Sequence, residues 1–301
     1  DRVRQLLNGV HEPRVSILVG AGNNGGDGLD AAQRLSESGG IAVAVYLVKQ
    51  RPEDDPRLQA VSETDAFVAE AWNDQQYRVL RNMVTSSNLV IDAIFGIGAR
   101  LPLDDDTAKV LRNVSQALVS QPSSSEAGLL IEAEQPQPAT TPRPYVLAMD
   151  CPSGVNCDTG AVDNHTLPAD ATITFIAVKQ GLLMEPAANF VGKLNIATLN
   201  IPDTHLRDEI IEYAHADRVQ AILPSRTATS HKGTHGKVMV VAGSVNYTGA
   251  AALATMAAYR TGSGRVTLAA PMSVIGSVST QIMEPTWVLL PQDSFGVRNS
   301  S

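Results

Sequence analysis

The chain has 301 residues, a length that suits two domains, and 44% of them are hydrophobic, as in ordinary globular proteins. Its formal charge of −8, its pI near 5.2 and its 4% of aromatic residues argue against a surface that binds nucleic acids. The sequence shows neither a signal peptide nor an apolar run long enough to cross a bilayer, so we expect a cytoplasmic protein without a membrane partner.

The first predicted strand, Val15–Val19, leads directly into a glycine-rich segment, and the residues Gly28–Ser38 are predicted to form a helix. Glycines stand at positions 20, 22, 25, 26 and 28, and the first three spell G-x-G-x-x-G. Backbone N–H groups converge at the start of such a helix, and the helix dipole favours negative charge. The segment therefore predicts a phosphate-binding site, with a tight turn that binds no ligand as the alternative.

The second predicted strand, Ile41–Val48, is followed by the tripeptide Lys49-Gln50-Arg51. An ordinary NAD dehydrogenase has an acidic residue at this point for the ribose hydroxyls, so the basic tripeptide argues against that class of enzyme. A Walker loop is excluded because no Gly-Lys-Ser/Thr follows the glycines. Lys49 and Arg51 hint that a bound nucleotide could carry a 2′-phosphate.

The elements that follow continue the alternation of strands and helices. We predict strands at Leu89–Ala93, Tyr145–Met149, Ala171–Ile176 and Lys193–Leu199, and helices at Pro56–Glu70, Gln75–Ser86 and Ala108–Val119. This rhythm predicts an α/β fold, with a Rossmann-like three-layer αβα arrangement around a mostly parallel sheet, in a domain of residues 1–215. Residues 121–144 are rich in Ser, Pro, Thr, Gln and Glu, and we predict that they form a flexible surface insertion.

Two later motifs also stand at the ends of predicted strands. Asp92 lies in the segment Ile91–Gly98, and Asp150 lies in the segment Ala148–Gly160. Both cysteines of the chain fall in the second of these segments, and two thiols are too few for a zinc site or a disulfide framework. Since ligands of parallel sheets bind at the carboxyl ends of the strands, we expect both aspartates and the glycine-rich segment to share one pocket.

The residues Gly22-Asn-Asn-Gly-Gly-Asp-Gly28, together with these two later motifs, closely resemble the YjeF N-terminal family, the NAD(P)H-hydrate epimerases. The resemblance covers about residues 15–201. It implies an isomerase that interconverts the R and S forms of hydrated NADH and NADPH, called NADHX and NADPHX, in nicotinamide nucleotide repair. We also expect a homo-oligomer.

The resemblance further implies a set of site residues. Asp150 is expected to bind the substrate and to be the catalytic acid–base group, with a turn-capping aspartate as the structural alternative. A potassium ion is expected on Asn24, Asp92 and Ser153, for which a plain hydrogen-bond network is the alternative. The other substrate-binding positions are Asn23, Asn24, Gly25, Gly26, Asp27, Gly96, Ile97, Gly98, Ala99, Arg100, Leu101 and Pro102, and for Arg100 a solvated surface arginine is the alternative. Lys179 either faces the pocket or extends into solvent.

A second domain is predicted at residues 216–301. The segment Ser230–Ser244 contains a polar stretch, a strand and a glycine turn, and a helix at Gly249–Tyr259 and a strand at Arg265–Ala269 follow. This order resembles the opening of the YjeF C-terminal domain, the ADP- or ATP-dependent NAD(P)H-hydrate dehydratase, which implies a ribokinase-like fold and a full-length parent that is also a lyase. The resemblance also implies a substrate contact at Ala250, for which helix packing is the alternative. The nucleotide loop and catalytic aspartate of that family lie further along, so we expect a fragment cut at both ends, without dehydratase activity.

Two rival interpretations stay open. A non-catalytic ligand-binding or scaffold module of the same fold would tolerate loss of the site aspartates, whereas Asp27, Asp92 and Asp150 are all present. A Rossmann-type dehydrogenase or methyltransferase would leave the Cys-Pro-Ser-Gly loop unexplained, and a dehydrogenase would lack its acidic residue after the second strand.

Overall fold

A computed structural model describes residues 2–52, 54–119, 143–199, 214, 216–293 and 296–297. The chain divides into two compact units, residues 1–213 and 214–301. Most of the expected surface insertion, residues 121–142, lies outside the described residues.

The first unit is built on one sheet of seven strands. The strands are β1 (Arg14–Val19), β2 (Ala42–Leu47), β3 (Phe67–Glu70), β4 (Leu89–Ala93), β5 (Tyr145–Met149), β6 (Ala171–Phe175) and β7 (Lys193–Ala197). Their order is β3-β2-β1-β4-β5-β6-β7, and every neighbouring pair runs parallel. The predicted α/β fold class with a mostly parallel sheet is therefore confirmed.

Helices cover both faces of this sheet. They are α1 (Arg2–Leu6), α2 (Asn23–Glu37), α3 (Pro56–Ser62), α4 (Arg78–Ser86), α5 (Asp105–Val119) and α6 (Ala188–Val191). Successive residues of a strand point to opposite faces, so β1 contributes to two apolar cores. Ile17 lies in one core with Leu29 of α2, and Leu18 lies in the other with Leu80 of α4 and Leu111 of α5.

The predicted helix Pro56–Glu70 is wrong in its second half. Helix α3 ends at Ser62, where the hydroxyl of Thr64 donates to the carbonyl of Val61 at 2.7 Å and accepts from the N–H of Ala66 at 3.2 Å. These bonds turn the chain out of the helix, because a threonine side chain competes with the backbone for partners. The next residues form β3, whose ladder with β2 supplies hydrogen bonds that the sequence pattern does not reveal.

The second unit is a smaller α/β arrangement. It contains α7 (Ala216–Ile222), β8 (Lys237–Val241), α8 (Thr248–Arg260), β9 (Arg265–Pro271), α9 (Met272–Val278), β10 (Thr286–Leu290) and the short strands β11 (Gln292–Asp293) and β12 (Gly296–Val297). The strands β8, β9 and β10 form a parallel sheet in the order β10-β9-β8, and α8 and α9 pack on it around Leu268 and Val274. Its ribokinase-like assignment stays a prediction. Of the helices in the described ranges, none combines the length and the apolarity that a membrane span requires.

Candidate active site

The sheet order brings the three sequence motifs to one edge of the first unit. The strands β1, β4 and β5 are neighbours, and the motifs follow their carboxyl ends at residues 20–28, 94–102 and 150–154. Backbone turns from three connections thus meet at this edge, which is the usual place for ligands in open parallel sheets.

Asn24 ties the three turns together. It lies buried in the first turn of α2, and its Nδ2 donates hydrogen bonds to the carbonyl oxygens of Phe95 at 2.9 Å and of Met149 at 3.0 Å. Its Oδ1 is also buried and has no hydrogen-bond partner in the described part of the chain. A buried amide oxygen without a partner is costly, so this atom fits a ligand that is a cation or a donor.

Asp92 and Ser153 form a second buried connection. The hydroxyl of Ser153 donates to Oδ1 of Asp92 at 2.5 Å and its N–H donates to Oδ2 at 2.8 Å, while the N–H of Phe95 donates to the Ser153 hydroxyl at 3.0 Å. Burial raises the pKa of Asp92, and the hydrogen bonds from Ser153 and from the N–H of Ile94 only partly oppose it. A nearby cation would stabilise the ionised carboxylate.

The oxygen atoms of these three buried side chains suit an alkali cation. Asn24, Asp92 and Ser153 offer an amide oxygen, a carboxylate and a hydroxyl, all of them hard ligands, with one negative charge in total. Phe95 bonds both to Asn24 and to Ser153, so the three side chains surround one short stretch of backbone. The described residues contain no cluster of three or more His, Cys, Asp or Glu side chains suited to a metal. The residues therefore fit potassium, whose presence stays a prediction.

Asp150 follows β5 and is held by an ion pair. Its φ of 67° is left-handed, a conformation that residues other than glycine adopt rarely and often at functional sites. The ammonium group of Lys179 lies 2.5 Å from its Oδ1, which also accepts from the N–H of Phe175 at 3.2 Å and from the hydroxyl of Thr174 at 3.3 Å. The described residues supply no hydrogen bond to Oδ2, which faces Gly96, where an added Cβ would lie 3.3 Å away.

Asp27, in the first turns of α2, is close enough to Asp150 for their charges to interact. Burial raises the pKa of Asp27, Arg57 opposes this shift, and the negative charges of Asp30 and Asp150 add to it. Two interacting carboxylates, one of them paired with an ammonium group, provide groups that can hold or release a proton.

The glycine-rich segment is shaped mainly by packing. The helix α2 begins at Asn23, five residues before the predicted start, so three of the glycines lie inside its first turns. A Cβ at Gly25 would collide with the carbonyl oxygen of Gly20, and a Cβ at Gly28 would lie only 2.7 Å from the Cβ of Ala93. Glycine is therefore required here because α2 approaches β1 and β4 closely, which overrides its poor helix propensity.

Comparison with known proteins agrees with this architecture. A family model described as YjeF-related protein N-terminus matches residues 1–181. The chain belongs to this family. Membership confirms the resemblance that the glycine-rich segment and the two aspartate motifs predicted.

Curated relatives of this YjeF-related chain carry the name bifunctional NAD(P)H-hydrate repair enzyme Nnr. The protein of Moorella thermoacetica is 30% identical over 305 residues, which cover 97% of this chain and 52% of the relative. That of Escherichia coli is 32% identical over 254 residues, which cover 83% and 43%. The chain thus spans about half the length of the curated relatives that it matches. The crystal structure of yeast ynu0 covers 72% of this chain with a TM-score of 0.52 and 16% identity, which shows a shared fold.

The other predicted substrate residues differ in exposure, from the buried Gly26 to the exposed Ile97 and Arg100. Ile97 and Arg100 lie on the turn after β4, and within the described ranges the Arg100 guanidinium has no hydrogen bond or ion pair. Asn23 and Gly26 lie in the first turns of α2, and Gly98, Ala99, Leu101 and Pro102 lie on the turn after β4. Ala250 is exposed near the start of α8, in the second unit. The substrate contacts of all these residues stay predictions.

Sequence reasoning missed the role of Arg51. Its guanidinium donates to the carbonyl oxygens of Gly20 at 2.6 Å and Gly22 at 3.1 Å, and to Asp55 at 2.6 Å. The side chain therefore stabilises the glycine-rich turn and is not a free cation for a 2′-phosphate. Its place directly after β2, at the same edge as that turn, was the available signal.

Proposed function

We propose that the first unit is an NAD(P)H-hydrate epimerase. The observation that carries the proposal is the Asp150–Lys179 pair, an acid–base group at the carboxyl edge of the sheet, beside two turns suited to a dinucleotide. The curated relatives, named as NAD(P)H-hydrate repair enzymes, supply the substrate class.

The reaction needs little more than proton transfer and charge stabilisation. The substrate carries a hydroxyl on the carbon beside the ring nitrogen, so this carbon is a hemiaminal. The nitrogen lone pair forms a C=N bond while the C–O bond breaks, and the departing oxygen takes its electron pair and one proton to become water. Water then adds to the other face of the cationic ring and loses one proton, so the net change is inversion at that carbon.

Asp150 is the group proposed to give and take this proton. Its Oδ2 has no donor from the described residues and faces the turn after β4, where the ring can approach. Lys179 stabilises the ionised form, which exists while the ring is cationic, and the carboxylate stabilises the ring charge in turn. Asp27, with its raised pKa, is a second group able to hold a proton near the departing hydroxyl.

The remaining parts of the site are proposed to bind rather than react. The start of α2, whose cap residue Gly22 provides no side-chain hydrogen bond, presents N–H groups for the pyrophosphate, and Arg100 adds a cation. Potassium on Asn24, Asp92 and Ser153 would fix the turns after β1, β4 and β5 relative to one another. The ion would supply positive charge beside the buried carboxylate of Asp92.

For the second unit we propose kinship with the dehydratase part of the bifunctional relatives. The similarity to the Moorella thermoacetica protein extends over 97% of this chain, and so includes this unit. ADP or ATP would then be a cofactor of a longer parent protein that also acts as a lyase.

An equilibrated mixture of R- and S-NADHX, coupled to a separate S-specific dehydratase, tests the epimerase proposal. Consumption of both forms after addition of this chain is the expected result. If only the S form is consumed, the chain is not an epimerase, and the non-catalytic module of the same fold becomes the better interpretation.

A further inference from the structure

A cleft opens at the carboxyl ends of β1, β2 and β3, away from Asp150 in the order of strands. It has a volume of about 620 Å³, and its walls include Ala21, Gln50, Trp72 and Tyr77. Ala21 belongs to the glycine-rich turn, so the cleft is continuous with the proposed pyrophosphate site.

The wall of this cleft includes a strained piece of backbone. Gln76 and Tyr77 both have left-handed conformations, with φ of 57° and 55°. Asp74, which is buried, accepts hydrogen bonds from the N–H groups of Val79 at 3.0 Å and Leu80 at 2.9 Å and so fixes the start of α4. Consecutive left-handed residues persist only where surrounding contacts enforce them, and they occur often at ligand sites.

We propose that this cleft binds the adenosine end of the substrate, with the base against Trp72 and Tyr77. The inference rests on the proposed function, which places the hydrated ring at Asp150 after β5. A dinucleotide at this edge lies across the junction of β1 and β4, where the strand order reverses, so its other end extends over β1, β2 and β3. Aromatic side chains offer the base a stacking surface there.

The charges around the cleft predict which dinucleotide is preferred. The ammonium group of Lys49 lies 2.5 Å from a carboxylate oxygen of Asp104 and 3.6 Å from one of Asp106. Arg51 points away, to Asp55 and the glycine-rich turn. Lys109 also lies 3.5 Å from Asp106, so both of these ammonium groups are already paired with carboxylates. A 2′-phosphate would meet Asp104 and Asp106 without an unpaired ammonium group from either lysine, which disfavours it. The cleft is therefore selective for NADHX over NADPHX.

Fluorescence of Trp72 gives a local test that does not depend on turnover. In the variant Trp287→Phe, Trp72 is the single tryptophan, and titration with AMP is expected to quench it saturably. Calorimetry should then show AMP binding about tenfold weaker in Trp72→Ala, and unchanged in Trp287→Ala. Absence of saturable quenching in a chain that epimerises NADHX overturns the cleft assignment. Quenching in a chain without epimerase activity supports the cleft and rejects the proposed function instead.

A charge variant tests the selectivity. Asp106→Asn removes one of the carboxylates facing Lys49, and Asp105→Asn is the matched control on the same turn of α5. In the Trp287→Phe background, we expect Asp106→Asn to raise the affinity for adenosine 2′,5′-bisphosphate relative to AMP about fivefold, and Asp105→Asn to leave the ratio unchanged. An equal change in both variants, or none in either, overturns the role of Lys49 and its carboxylates.

Discussion

The ammonium group of Lys179 makes three hydrogen bonds, one of them 2.5 Å long to Oδ1 of Asp150. The other two, both 2.9 Å, go to the hydroxyl of Thr174 and the carbonyl oxygen of Phe175. Since an ammonium group has three N–H donors, every donor of Lys179 is used inside the site. The ion pair therefore has one defined geometry, which leaves Oδ2 of Asp150 as the oxygen that can meet a substrate.

Replacement of Asp150 by asparagine is expected to lower the epimerisation rate by about a hundredfold or more, because the group that transfers the proton is lost. The coupled NADHX assay measures this effect. Asp158→Asn is the matched control, since Asp158 is exposed and lies only eight residues further along the same segment. An Asp150→Asn protein that keeps the full rate would restrict Asp150 to a role in the turn.

Replacement of Lys179 by methionine leaves a largely buried carboxylate without its partner. The side chains of Lys179 and Asp150 are 20% and 12% exposed, so we expect a loss of stability of roughly 1–3 kcal/mol as well as a lower turnover number. Urea unfolding and the coupled assay measure the two effects. Lys193→Met, on an exposed residue of β7, is the control. A lower stability with an unchanged turnover number would show that the pair is purely structural.

Exchange of potassium for tetramethylammonium tests the proposed potassium site on Asn24, Asp92 and Ser153. We expect the native chain to lose about tenfold in epimerisation rate and to melt at a lower temperature, because a bound ion stabilises only the folded state. Asn24→Ala should be insensitive to the exchange in both measurements. Asn113→Ala should respond like the native chain, because the half-buried Asn113 donates only to the carbonyl oxygen of Lys109, one turn back in α5. Equal melting temperatures of the native chain in both salts would indicate that Asn24, Asp92 and Ser153 form a plain hydrogen-bond network without an ion.

The fold could be predicted from the sequence where strands are long and buried. Leu89–Ala93 is buried at every position, and its apolar run was sufficient to place β4. Phe67–Glu70 could not be recognised in the same way, because it is a short edge strand that depends on pairing with β2. Pairing energy between distant segments leaves no periodic signal within either segment.

The location of the site could be predicted from the motifs, because ligands of parallel sheets bind at the carboxyl ends of the strands. Asp92 and Asp150 are at the expected edge, since each follows a strand of the same parallel sheet. The partner of Asp150 depends on the register of β6 against β5, which aligns Ile173 with Met149 and brings Lys179 back to the turn. The place of Arg51 after β2 indicates the edge of the sheet at which it lies, but the carbonyl oxygens that it binds have defined positions only in the folded turn.

Substitution of Gly25 by alanine tests the packing role of the glycines. Alanine improves helix propensity by up to about 1 kcal/mol, but its Cβ would meet the backbone of Gly20, which cannot move aside. We expect a net loss of about 3 kcal/mol in urea unfolding. Gly26→Ala is the control in the same turn, because its Cβ would meet only the flexible side chain of Arg57. Equal stability of the two variants would contradict the packing explanation.

The buried ion pair between Arg51 and Asp55 should make the free energy of unfolding depend on pH. Both side chains are buried, with 7% and 8% exposed, and Asp55 also accepts from the N–H of Arg57 at the start of α3. Burial works to raise the pKa of Asp55, but the hydrogen bonds from Arg51 and from the backbone outweigh it, so the pKa is lowered. A lowered pKa in the folded state stabilises folding above the unfolded value of about 3.9, and this stability is lost as the pH falls through the folded pKa.

Replacement of Asp55 by asparagine should therefore cost about 3 kcal/mol at pH 7, because Arg51 is left buried without its carboxylate. The difference in the free energy of unfolding between Asp55→Asn and the native chain should decrease steadily below pH 4, where the native carboxylate itself becomes protonated. Urea unfolding followed by Trp72 fluorescence in the Trp287→Phe background measures both values. Asp65→Asn, on an exposed residue in the turn after α3, should have little effect at either pH. A difference that stays constant from pH 7 to pH 3 would show that Asp55 acts through neutral hydrogen bonds alone.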